Sequence, residues 1–423
     1  MNIRTENKNM NSHNNDGQSN VVKVAIISKQ AFSLVNFRGP LIRAMVERNV
    51  IVYAFAPDFD EKTRREVEEL GAIPLDGRVH PAGMNPFQDL MDMLWLSRKL
   101  RQIGVGATFA YFIKPVIFGT LAAKLAGVPK RFAMIEGLGY AFAEGGNSVK
   151  RKVVRGLATN LYRLALSYAT KVFFLNPDDK RFFIENAMVR AEKVALIDGI
   201  GIDLSHYPMA HLNSESICFV LVARLLKEKG IYDYVEAARR VKKEYPSVRF
   251  LLLGNVDASG NPDSIAESKV LEWAAEGLLE WPGHVDDVRP WIASAGVFVL
   301  PSYREGLPRS TLEAMATGRA IITTDAPGCK ETVVDGLNGF KIPVQDPLAL
   351  ANAMLKFIAE PHLIAQMGKE SRRIAENRFD VRKINYQILG VMGIRGRVHS
   401  TASHQIFGDM EPIFTTASGT EHM

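Results

Sequence analysis

The feature that most constrains this chain is an alternation. From residue 21 onward, short apolar runs trade places with longer amphipathic stretches. "VVKVAIIS" (21–28), "VIVYAFAP" (50–57), "AIPLD" (72–76), "ATFAYF" (107–112), "RFAMIEG" (131–137) and "KVFFLN" (171–176) read as strands. Patterns such as "DEKTRREVEEL" (60–70) and "KPVIFGTLAAKLAG" (114–127) read as the helices between them. Strands that alternate with helices build a parallel, doubly wound sheet. The alternation pauses at "DGIGIDLSHYPMAHLNSES" (198–216), rich in Gly, Ser and turn formers, which is linker composition. It restarts with "CFVLVARL" (218–225), "VRFLLLG" (248–254), "LLEWPG" (278–283), "GVFVLPS" (296–302) and "RAIITTDA" (319–326). The fold class expected is α/β, with two Rossmann-like doubly wound parallel sheets facing a cleft. A chain of 423 residues is too long for one simple core, and such sheets bind ligands beyond the C-terminal ends of their strands.

The expected division is a disordered tail over 1–20, a first domain over 21–205 and a second over 206–379. A helix over 380–393 then packs back across the first domain, and 394–423 form a loose tail. A long helical stretch is read from about 346 to 376. The first twenty residues are polar and Asn-rich, without the apolar run of a secretory signal. No apolar run approaches the ~20 residues that cross a bilayer, so a membrane would be met at its surface. Cys218 and Cys329 are the only cysteines and lack metal-ligand spacing. This reads as a reducing cytoplasm, free thiols and no metal site. The formal charge of +6 points to an anionic partner: nucleic acid, anionic lipid or a phosphorylated substrate.

Chemistry concentrates in "SYREGLPRSTLEAMATGRAIITTDAPG" (302–328). Pro308 suits the first turn of a helix that Gly318 terminates. The free N–H groups of that turn, from Arg309 through Ser310 to Thr311, suit a diphosphate. Glu305, just upstream, can reach a sugar hydroxyl or a developing positive charge, and Glu313 can accept from two ribose hydroxyls. Acids near a helix start also favour its dipole with no ligand at all. Two further strand ends weigh on the choice. "VARLLKEKG" (222–230) supplies Arg224 and Lys229, two fixed cations able to neutralise a departing diphosphate. "GHVDDV" (283–288) places His284 where backbone groups can hold a base. Three strand ends converging on one cleft favour a ligand.

"ARLLKEKG", "GNVD", "WPGHVDDV", "VLPSYREGLPRSTLEAMATGRAIITTDAPGCKETV" and "GLNGF", in that order and spacing, resemble the family-four glycosyltransferases of the GT-B fold. Glu305 to Glu313 is the most specific element of the likeness. In the first domain, "LVNFRGPLI" and "YFIKPVIFGTLAAKLAGVPKRFAMIEGLGYAF" are similar to bacterial transferases that build surface polysaccharides and lipid-linked oligosaccharides. The resemblance covers roughly 21–393. It implies metal-independent, anomer-retaining transfer of a hexose or N-acetylhexosamine from a UDP-sugar, with no cofactor, to a glycan on a polyprenyl diphosphate. Arg224 and Lys229 would hold the donor diphosphate, Glu313 the ribose, and Glu305 the donor sugar near its reacting carbon. Gly306 and Leu307 would orient the sugar hydroxyls. The first domain would then take the acceptor. Arg38 and Gly39 stand where a helix begins, and Gly39 lets backbone approach the donor closely. Lys114 and the loop "EGLGYAF" (136–142), with Glu136, lie at strand ends. Arg38 and Lys114 are proposed contacts to the acceptor diphosphate, although a helix-start arginine and a pre-proline lysine need no ligand.

"VKRKVVRGLATNLYRLALSYATK" (149–171) carries a stripe of Val153, Leu157, Leu161, Leu164 and Tyr168, with Arg151, Lys152, Arg155 and Arg163 mostly opposite. Docking on an anionic membrane from the cytoplasmic side explains this, and so does a buried helix with a solvated basic face. "DFD" (58–60) matches a metal-binding Asp-x-Asp but precedes a helix, where capping suffices. No dinucleotide fingerprint, Walker sequence or histidine metal spacing occurs. A UDP-sugar 2-epimerase of the same architecture and a non-catalytic UDP-sugar-binding protein remain the rival readings. Nucleic-acid binding has no reading motif behind it.

Overall fold

Two parallel sheets follow one another along the chain, wound in the same order. The computed structural model describes residues 22–78, 85–139, 142, 149–212, 217–257, 261 and 263–395. The first sheet holds β1 (Lys23–Ile27), β2 (Ile51–Ala56), β3 (Ile73–Asp76), β4 (Ala107–Tyr111), β5 (Lys130–Ile135), β6 (Lys171–Phe174) and β7 (Val194–Leu196), in the spatial order β3-β2-β1-β4-β5-β6-β7. The second holds β8 (Cys218–Val222), β9 (Arg249–Leu253), β10 (Glu280–Gly283), β11 (Val297–Leu300), β12 (Ala320–Thr324) and β13 (Gly339–Ile342), ordered β10-β9-β8-β11-β12-β13. The helices of the first half are α1 (Ala31–Asn36), α2 (Gly39–Val46), α3 (Glu61–Glu69), α4 (Pro86–Ile103), α5 (Thr120–Ala126), α6 (Val149–Ser167) and α7 (Pro177–Glu185). Those of the second are α8 (Ile231–Glu244), α9 (Glu267–Ala275), α10 (Arg289–Ser294), α11 (Arg309–Ala316), α12 (Pro347–Ala359), α13 (His362–Ile374) and α14 (Val381–Met392).

Every residue of β4 and of β12 is buried. That is why these strands read as unbroken apolar runs: helices cover both faces of a parallel sheet. β7 and β13 were absent from the sequence reading. Both are edge strands, three and four residues long. The helical stretch read over 346–376 is two helices, α12 and α13, bent by 108° at Glu360 and Pro361, where proline lacks the N–H that would continue the ladder. Among the described residues no single helix is long and apolar enough to cross a membrane. The N-terminal tail expectation lies outside the described residues, as does nearly all of 394–423. Cys218 and Cys329 are buried and free. Asp60 caps α3 in a reciprocal box with Thr63, and Asp58 accepts from the Ala31 N–H at 2.7 Å, so the Asp-x-Asp run is engaged in capping.

In each sheet the winding reverses beside the first strand, between β1 and β4 and between β8 and β11. These are the crevices where doubly wound sheets take ligands. The chain crosses back at Ile202, whose N–H donates to Phe379 O at 2.7 Å while Val381 N–H donates to Ile202 O at 3.0 Å. Beyond this crossing α14 sends Ile384, Ile388, Leu389 and Met392 into the same apolar cluster as Val24, Ile26 and Val52 of the first sheet.

Candidate active site

The segment between β11 and α11 is held from both sides. Ser302 Oγ donates to Glu228 O at 3.1 Å and Tyr303 N–H to the same oxygen at 2.9 Å. This ties the strand end to the turn Lys227–Lys229 and sets Lys229 Nζ 2.5 Å from Glu305 Oε1. Both side chains are largely buried, at 13% and 15% exposure. From the other half of the chain, Asn176 Nδ2 donates to Gly306 O at 2.6 Å, and buried Asp179 of α7 accepts from Arg304. Gly306 itself lies against the Glu136 carbonyl: a Cβ there would sit 1.8 Å from that oxygen. Leu307 packs on the cores of both halves.

Pro308 takes the N-cap of α11, one position before the first turn. Thr311 N–H already donates to Pro308 O at 3.2 Å, so among the described residues the open donors of this turn are those of Arg309 and Ser310. The Thr311 hydroxyl is buried without a partner. Arg309 turns sideways: its Nε donates to Glu313 Oε1 at 3.0 Å, its Nη1 donates to Asn36 O, and its guanidinium lies 5.0 Å over Phe37. Burial holds the Glu313 carboxyl above its ordinary range, against the attraction of Arg309 and a hydrogen bond from Tyr207.

Two cavities open at the two winding reversals. The one on the second sheet, about 440 Å³, is walled by Lys229, Glu305, Ser310, Glu313 and His284. His284 is exposed, 3.6 Å from Asp286. The one on the first sheet, about 330 Å³, is walled by Lys29, Phe112, Lys114, Glu136 and Tyr162. Arg224 borders both. Its side chain is 66% exposed and rests 3.6 Å from Asp257.

The structure thus gathers Arg224, Lys229, Glu305, Arg309, Ser310, Glu313 and His284 around one cavity, and Lys114 and Glu136 around the other. Gly306 and Leu307 lie at the contact between the halves. Three expected residues stand elsewhere, Thr311 among them: its N–H is spent on Pro308 O and it lines neither cavity. Arg38 is 2% exposed, bound to Glu136 and stacked 4.4 Å over Tyr111; it holds Glu136 and lines neither cavity. Gly39 faces inward, where a Cβ would make ordinary 3.6 Å contact with Leu70, so no close approach of a ligand requires glycine there. Lys29, Tyr207, Asn176, Asp179 and Arg304 join the site without having been expected there from sequence. Of these only Lys29, two residues past β1, carried a signal, because strand ends at a winding reversal bear ligand contacts.

With this geometry in view, known proteins give the chain its place. Residues 216–360 match the family model described as glycosyl transferases group 1. Over 367 residues the chain is 28% identical to the N,N'-diacetylbacillosaminyl-diphospho-undecaprenol alpha-1,3-N-acetylgalactosaminyltransferase of Campylobacter jejuni, spanning 84% of this chain and 94% of that one. The chain is thus a glycosyltransferase, matched to group 1 over residues 216–360. It is also 26% identical over 315 residues to the Escherichia coli UDP-Gal:alpha-D-GlcNAc-diphosphoundecaprenol alpha-1,3-galactosyltransferase, covering 70% of this chain and 77% of that one. Among solved structures, Anabaena HepE in complex with UDP and glucose aligns with TM-score 0.70 at 18% identity, over 88% of this chain and 99% of that one. The sucrose-phosphate synthase of Thermosynechococcus elongatus aligns at 0.73 and 18%, over 88% and 98%. The fold of the transferase is therefore GT-B, and the enzyme is related to those of bacterial lipid-linked glycan synthesis.

Proposed function

We propose that this transferase moves a hexose or N-acetylhexosamine from a UDP-sugar to a glycan on a polyprenyl diphosphate, retaining the anomeric configuration and using no metal. The observation that carries the reading is the pair of cavities, one at each winding reversal, meeting at Arg224. The names of the Campylobacter and Escherichia relatives, both enzymes of diphospho-undecaprenol-linked sugars, support the acceptor class. The Anabaena complex with UDP supports the donor.

The donor lies in the second-sheet cavity. Its diphosphate meets the Ser310 N–H, Lys229 and Arg224, its ribose meets Glu313, and its base lies by His284. Glu305 faces the sugar carbon. As the bond from that carbon to the phosphate oxygen breaks, the acceptor hydroxyl bonds the same face, and its proton passes to the departing oxygen. Stabilising that oxygen is the main task; a single such donor is worth ~10²–10³ in rate elsewhere. Residues 206–379 form the donor domain and 21–205 the acceptor domain, with 380–393 returning to the latter. The acceptor lipid is met at the cytoplasmic face of a membrane through α6. Val153, Leu157 and Leu164 are exposed there beside exposed Lys152 and Arg155, while the helix buries Tyr162, Ala165 and Leu166 instead. Such a surface suits an anionic bilayer.

The test is UDP release from a panel of UDP-sugars in EDTA, with and without polyprenyl-diphosphate-linked sugar. Release from one donor only when acceptor is present is expected. Donor turnover without acceptor would favour an epimerase or hydrolase, and failure to bind UDP at all would overturn the reading.

A further inference from the structure

The first-sheet cavity holds a cation without a carboxylate partner. Lys114 is paired with Asp89 at 2.9 Å, and Arg224 rests 3.6 Å from Asp257. Glu136, the acid in the wall, is already bound by Arg38. Lys29 makes no ion pair among the described residues; its ammonium lies 4.5 Å over the ring of Phe112.

That placement is built rather than incidental. The backbone at 28–30 is pinned by Ser28 N–H to Phe55 O at 2.9 Å and by the Ser28 and Ser33 hydroxyls at 2.7 Å, the latter bonded to Tyr111 OH at 2.9 Å. Phe112 adopts φ +68°, a left-handed conformation costly for an aromatic residue. Strain of this kind persists where the surroundings hold it, and it gathers at ligand sites. The π-helix Pro115–Gly119 follows directly after Lys114. Burial and the neighbouring Arg224 charge pull the Lys29 ammonium below its ordinary value, with Glu136 pulling the other way. An arriving anion would offset both by its opposite charge.

We propose that Lys29 binds the acceptor diphosphate in the first-sheet cavity, together with Lys114 and Arg224 of the same wall. The inference rests on the acceptor class proposed above. It places at Lys29 the role that the sequence suggested for Arg38, which is committed to Glu136 and Tyr111.

The experiment compares Lys29→Met and Lys29→Arg with wild type at saturating donor. One acceptor is a short polyprenyl-diphosphate-linked N-acetylhexosamine; the other is the same sugar as a phosphate-free benzyl glycoside. Lys29→Met should raise KM for the diphosphate acceptor roughly tenfold or more, the scale of one charged hydrogen bond. KM for the benzyl glycoside and for the donor should stay within about threefold, and Lys29→Arg should restore most of the loss. Equal losses with both acceptors, or a raised donor KM, would assign Lys29 to packing or to the donor and overturn the proposal. If wild type turns over neither acceptor, the functional reading fails by itself. Lys29 is then read by calorimetry of inorganic pyrophosphate binding to the UDP-saturated enzyme. Weaker binding by Lys29→Met supports the site, and unchanged binding or none in wild type overturns it.

Discussion

Replacing Gly306 by alanine tests whether the contact between the two halves sets the geometry of the reaction. The added Cβ would lie 1.8 Å from the Glu136 oxygen and 2.5 Å from its carbonyl carbon. Both are backbone atoms, so no side chain can rotate out of the way. Neither neighbour is free to yield: Glu136 is fastened through its side chain to buried Arg38, and Gly306 O is held by Asn176 at 2.6 Å. Reaching ordinary contact requires a retreat of roughly 1.5 Å, and misplacement of about 1 Å in a reacting group can cost ~10² in rate. Gly306→Ala should therefore lower kcat/KM by about two orders of magnitude. UDP affinity should hold within about threefold, because the groups walling the second-sheet cavity belong to the second half apart from Phe37. The assay is coupled UDP release for turnover and calorimetry for UDP. A variant with wild-type turnover would show that the halves need not touch here for catalysis; a variant that loses UDP binding would show that the change acts on the nucleotide site.

Arg224→Ala should raise KM for donor and acceptor alike, about tenfold each, since Arg224 borders both cavities; an effect on one substrate alone would refute the sharing. Glu313→Gln should weaken UDP binding about tenfold yet melt no lower than wild type at about pH 7.5. Burial raises this carboxyl, so the folded state holds its proton more tightly than the unfolded chain, and the acid's contribution falls as pH rises through the raised value. A melting temperature several degrees lower would contradict that sign. Arg304→Met should destabilise the fold by about 3 kcal/mol at neutral pH, because it strands Asp179 at 1% exposure. Burial already raises the Asp179 carboxyl, so the loss should shrink toward acid pH as it takes a proton. A loss independent of pH, read from urea melts, would place the damage elsewhere.

What could be read from sequence was what is local. Glu305, Pro308 and Glu313 lie within one strand end and one helix, and Arg224 and Lys229 within one strand end and one turn, so their spacing already carried their geometry. Asn176 and Gly306 meet across 130 residues, and nothing in "FFLNPDD" announces a partner so far away. The surroundings of Arg38 were hidden for the same reason. A cation before a helix looks free in sequence, and only the fold places Tyr111 beneath it and Glu136 beside it. The doubly wound order was legible because central strands buried on both faces are continuously apolar. β7 and β13 were not read, whereas β3 and β10, edge strands of four residues each, were.

The charges of the site also bear on how it must work. Lys229 faces Glu305, Arg309 faces Glu313, Lys114 faces Asp89, and Arg38 faces Glu136. A buried unpaired charge is costly, which is met here by pairing most of the buried cations with carboxylates. On the function proposed above, substrate would bind by exchange, with phosphate replacing Glu305 at Lys229 and ribose hydroxyls replacing Arg309 at Glu313. On the same proposal, Glu305 released from Lys229 would stand as a negative charge beside the sugar carbon as positive charge develops there. Lys29 differs from these cations: among the described residues it makes no ion pair, its ammonium lying over Phe112 with Glu136 acting on it only at longer range. It needs no displacement before it can bind, which suits it to make the first contact with the acceptor.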